Sequence, residues 1–155
     1  MKQPITEPDR PWRAIVIHGH AHGVAALQAG RRAPSRILLL SAPGAAAYLG
    51  PAWWVALMAS MQPQMTAIGA SGLLDCGHSA GRAMEALRIG VRRLILMPDC
   101  PQYAAVRARA APLDAAVVPE RPPALDLAEK NAGHRLAGWL QGEERLHGDK
   151  NRAGV

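Results

Sequence analysis

Apolar residues in this chain gather in short unbroken runs, separated by stretches with a helical period. Ala14 to Ile17, Ile37 to Leu40, Leu73 to Asp75, Arg93 to Met97 and Ala115 to Val118 read as strands. Such runs suit a parallel sheet buried on both faces, where inside and outside do not alternate. Met65 to Ile68 competes for the third strand, and the repeat described below favours the later run.

Between these runs the period changes to 3.6. His20, Val24 and Leu27 line a short helix that Gly30 ends. Pro51 takes the favoured first position of a helix reaching about Gln62, where Pro63 is expected to stop it. Ala80, Ala83, Met84 and Leu87 give the clearest amphipathic stripe, with Arg82, Glu85 and Arg88 turned outward. Tyr103, Val106 and Ala110 mark a fourth helix. Asp126-Leu127-Ala128-Glu129 reads as a capping box for a last helix lined by Ala132, Leu136, Trp139 and Leu140.

The chain also repeats itself. Ile15 to Leu40 and Leu73 to Met97 both run from an apolar strand through Gly-His-x-x-Gly and Ala-Leu-x-x-Gly to an Arg and a second apolar run. Each copy is a βαβ unit. The expected fold is a single three-layer α/β domain with a five-stranded, mainly parallel sheet, flavodoxin/Rossmann-like in order 2-1-3-4-5 and internally duplicated. In that order the two Gly-His loops face one another across a crevice at the C-terminal edge of the sheet. In a rival half-barrel, strand 2 would stand between strands 1 and 3. The domain should span residues 1–142, with a mobile arm over 1–12 and a disordered tail over 143–155.

Composition adds limits. A chain of 155 residues suits one core, and with no Phe that core must be built from Leu, Ile, Val, Ala and Met. The net charge of +6 is carried mostly by Arg, dispersed and without interleaved aromatic residues, so nucleic acid is a poor candidate partner. Two cysteines, Cys76 and Cys100, without disulfide-like spacing suit a reducing cytoplasm, and the N-terminus has no secretory apolar segment. No charge occurs from Ile37 to Leu74, but Pro and Gly cut that stretch too short for a membrane span.

The candidate chemistry lies at the strand ends. His18, Ser41, Asp75 with Cys76, Asp99 with Cys100, and Glu120-Arg121 all fall on one sheet edge. His20 and His78, followed by Gly23 and Gly81, would hold a small anionic ligand together with free helix-start N–H groups. The candidate ligand-binding set is therefore His18, His20, Gly23, Ser41, Asp75, Cys76, His78, Gly81 and Asp99. No catalytic residue and no cofactor is assigned. The alternate histidines His18, His20 and His22 carry a metal alternative, because His-x-His leaving a strand suits a divalent ion. That opening resembles the His-x-His that ends the first strand of amidohydrolase-like metal enzymes, which implies a small metal-dependent hydrolase; the resemblance spans three residues.

The helix from Pro51 has no charge on any face, so a covering partner is expected. A homodimer through Trp53, Trp54, Leu57 and Met58 is the simplest cover. An interaction or scaffold protein acting through that helix is accordingly the alternative to ligand binding.

Overall fold

A computed structural model describes residues 10–143, and the N-terminal arm up to residue 9 and the tail from residue 144 lie outside the described residues. Six strands form one sheet: β1 (Trp12–Ile17), β2 (Arg36–Ser41), β3 (Ser71–Asp75), β4 (Arg93–Ile95), β5 (Ala116–Val118) and β6 (Ala124–Asp126). All adjacent pairs are parallel, as expected for an α/β fold with its sheet flanked by helices. Trp12, assigned to the arm by sequence, instead opens β1.

Strand number and order differ from expectation. The order is β5-β4-β3-β2-β1-β6, so β2 stands between β1 and β3 and the expected order 2-1-3-4-5 is corrected to 6-1-2-3-4-5. The sixth strand was hidden because Ala124–Asp126 is three residues long and follows two prolines. Spacing in a βαβ repeat sets a crossover length, not the side on which the next strand docks.

This order dictates where the helices go. Right-handed crossovers that always step the same way must all lie on one face. Helices α1 (His20–Gly30), α3 (Pro51–Ile68), α4 (Ala80–Arg88), α5 (Tyr103–Ala110) and α6 (Ala132–Gln141) indeed share one core with Ile15, Ile17, Leu39, Leu74, Leu94 and Leu125. The opposite face carries Ala14, Val16, Leu40, Leu73 and Ile95, packed with Ala42 and Ala45. Its covering layer is thin: the short α2 (Ala45–Tyr48) and the segment 119–123 that returns from β5 to β6.

That segment also requires a rolled sheet. Six residue steps from Val118 to Ala124 span about 20 Å at most, whereas flat strands spaced about 4.8 Å would put β5 and β6 about 24 Å apart. Trp12 on β1 agrees, because the Arg93 guanidinium of β4 lies 5.6 Å from its ring centroid although two strands intervene. The sheet is therefore curled, with the helices on one face and the 119–123 strap across the other.

Helix α3 does not stop at Pro63 but runs on to Ile68, so the run Met65–Ile68 is its last turn and the third strand is the later one. Met61 and Met65, buried on either side of Pro63, hold the helix to the core against the lost backbone hydrogen bond. Gly69, at φ 65°, then ends the helix. Trp54 and Leu57 are buried within this same core, and Trp53 and Met58 are half-buried. Trp54 and Leu57 thus serve the protein's own core, and the exposed positions of the helix, Ala52, Ala56 and Ala59 among them, are small and uncharged. Among the described residues no helix is long and apolar enough to cross a membrane.

Candidate functional site

The strand ends at the C-terminal edge form three separate polar groups. At the β1 end, His18 Nε2 lies 2.7 Å from Asp126 Oδ1 of β6. Asp126 Oδ1 also accepts from the Ala128 N–H at 2.8 Å. Asp126 therefore fixes the imidazole and is no capping-box residue; α6 begins only at Ala132. Because Nε2–H donates to the carboxylate, neutral His18 keeps its Nδ1 lone pair free. His22 Nδ1 accepts from the His18 backbone N–H at 3.3 Å, and the two rings meet edge to face with centroids 5.6 Å apart. Neutral His22 thus carries its proton on Nε2.

Helix α1 starts beside these rings. Its N-cap is Gly19, which brings no side-chain acceptor, so the first-turn N–H groups of His20, Ala21 and His22 have no side-chain cap. Gly23 is the first residue whose N–H enters the helix ladder, bonding Gly19 O.

The second group lies under the strap. Asp75 is buried and ion-paired through Oδ2 with Arg121, whose guanidinium also donates to Ser41 O from both Nη atoms at 3.1 Å. Asp75 Oδ1 accepts from Gly77 N–H, and Ser41 Oγ accepts from Asp75 N–H at 2.8 Å. Asp75 Oδ2 and Ser41 O thus hold the strap, while Asp75 Oδ1 bonds the turn after β3 and the Ser41 hydroxyl joins β2 to β3. The third group, His78 Nδ1 with Asp99 Oδ1 at 2.9 Å, is largely exposed and so contributes little to stability.

The expected site residues are therefore divided. His18 lies at the α1 start, whereas His20 points away along the helix, with Nδ1 2.9 Å from Ser60 Oγ of α3. His20 and His78 do not flank one crevice, because the strand order that would have put them there is not the one formed. Cys76 is fully buried; burial first, and Asp75 second, pushes its thiol up to about 12, which leaves it neither accessible nor nucleophilic. Gly23 is a packing residue: a Cβ there would stand 2.2 Å from Met61 Sδ. Gly81, its counterpart, faces open space. Among the described residues no three His, Cys, Asp or Glu side chains are grouped as a metal site, and His20 has left the His18–His22 pair.

Sequence reasoning missed Asp126 as the partner of His18. The signal was a carboxylate placed just after an apolar pair and two prolines, Pro122-Pro123-Ala124-Leu125-Asp126, which is a strand end like the others. No protein-family model matches the chain, and neither a curated protein nor a solved structure matches it.

Proposed function

We propose that this chain binds a small anionic ligand at the C-terminal edge of its sheet, at the turn from β1 into α1. The observation that carries the reading is the uncapped first turn of α1 beside the paired imidazoles of His18 and His22. Free N–H groups and the positive end of the helix favour an anion there, and His22 Nε2–H adds a donor. Asp126 would hold His18 ready to take a proton from a bound acid or give one to a bound base. The buried free thiols of Cys76 and Cys100 support a reducing, cytoplasmic setting.

Titration of inorganic phosphate into isotope-labelled protein tests the reading. The amide resonances of His20, Ala21 and His22 should move saturably, and the double variant His18→Ala/His22→Ala should weaken binding by about tenfold. Shifts that do not saturate, or that are unchanged in the folded double variant, overturn it.

A further inference from the structure

The opposite edge of the sheet has different chemistry. Strands β1, β2 and β4 begin at or beside Trp12-Arg13, Arg36 and Arg92-Arg93, while the paired carboxylates Asp75, Asp99 and Asp126 lie at the C-terminal edge. Between α3 and the start of β4 this basic edge opens into a groove of about 400 Å³, a size that suits a small ligand. Its inner wall is the half-buried Met58, backed by Trp54 and Met65, which are buried, and its outer lip is Ile89, an exposed apolar side chain. Among the described residues the charged ones lining it are Arg92 and Arg93, and since the Arg93 guanidinium lies over the Trp12 ring, Arg92 is the cation available to the groove. Arg92 is held in place, donating from Nη1 to Leu87 O and Val91 O at 3.3 Å each.

The groove exists because β3 and β4 part company. Their ladder contains Leu74↔Leu94 and Asp75↔Ile95, whereas Ser71, Gly72 and Leu73 pair with β2 alone. Along a strand, alternate residues turn their N–H and C=O to opposite sides. Cys76 N–H bonds Ile95 O on the β4 side, so Gly72, four residues earlier, turns its own pair the same way, to the groove that Ser71 and Gly72 line. Gly72 also lets the wall close in, since a Cβ there would stand 2.7 Å from Met58 Sδ and 3.2 Å from the Trp54 ring.

From this we infer that the groove binds a small heteroaromatic ring carrying an anionic group, of which a nucleoside monophosphate is the representative. The Met58 thioether and the Ile89 side chain accept a ring face. A ring with its own donors and acceptors satisfies the Gly72 N–H and C=O, whereas a purely apolar ligand would displace water and leave them unpaired. Arg92 takes the phosphate. The site is separate from the β1–α1 turn and does not depend on it.

Adenosine monophosphate, adenosine and benzoate, titrated separately and followed by amide shifts and Trp fluorescence, divide the contributions. The monophosphate should move the Gly72, Ile89, Gly90 and Val91 resonances saturably and bind about tenfold more tightly than either adenosine, which lacks the anion, or benzoate, which lacks the polar edge. Arg92→Ala should bring it down to the level of adenosine. Ala59→Trp, at an exposed α3 position lining the groove, should abolish binding with the circular dichroism spectrum unchanged. Equal or tighter binding of benzoate, binding that survives Ala59→Trp, or no saturable shift with the monophosphate overturns the inference. Shifts confined to His20–His22 would do the same while leaving the β1–α1 reading intact.

Discussion

Cys76 follows β3 directly and has no exposed surface, so ionising its thiol would put a charge into the core beside Asp75. Its pKa rises from 9.0 to about 12, chiefly through burial. A group whose folded pKa is raised contributes its full stability below the unfolded value and loses it as pH climbs toward the folded one. Stability should therefore fall between pH 9 and 12, by on the order of 1.4 kcal/mol per pH unit from this thiol alone. Cys76→Ala should flatten that part of the denaturation-versus-pH curve. At pH 8 the native thiol should resist iodoacetamide and react only after unfolding, as peptide mass mapping will show; native labelling at the rate of a free thiol would contradict the burial. Strand-end polar residues could be read from sequence at this scale, but their roles could not. Gly23 and Gly81 occupy matching places in the repeat, yet only Gly23 meets a neighbouring helix, because α1 packs on Met61 and nothing packs over Gly81.

Among the elements, the 119–123 strap between β5 and β6 is irregular and is anchored through Arg121. Arg121 is the only residue of this stretch seen bonding both the end of β2 and the buried carboxylate of β3. Removing it leaves Asp75 buried without its counter-charge, a loss that costs about 3–5 kcal/mol in comparable buried pairs. Arg121→Ala should lower the urea midpoint accordingly, and Asp75→Ala/Arg121→Ala should recover part of it, since the stranded charge is then gone. An Arg121→Ala midpoint no lower than that of the exposed Arg109→Ala would show that the pair is not holding the strap. Glu120-Arg121 was legible as another polar strand end, but its partner was not, because Asp75 is 46 residues away and only the returning path of the chain brings them together. Helix α3 shows the same limit: Pro63 predicts a stop, and the core contacts of Met61 and Met65 override it.

At the scale of the molecule, class and order have different origins. Apolar runs alternating with helical stripes made the parallel α/β class readable, since each element's period follows from local sequence. Strand order depends on which edge each new strand meets, and the identical spelling of the two βαβ units is compatible with either order. The resulting sheet has an uneven ladder. Six residue pairs join β1 to β2 and three join β2 to β3, but two join β3 to β4. The sheet is thus weakest at the seam where the Gly72 groove opens, and the unit β4–α5–β5 should exchange its amide hydrogens through a partial opening that leaves β1 and β2 closed. The strap opposes that opening, because it leaves β5 and fastens to Ser41 and Asp75 on the other side of the seam. Native-state hydrogen exchange should accordingly find Leu94 and Val117 less protected than Ile15 and Leu39. In Arg121→Ala the protection of Leu94 and Val117 should fall by more than that of Ile15 and Leu39. A uniform fall across all four amides would mean that the six strands open as one unit and that the seam is no boundary at all.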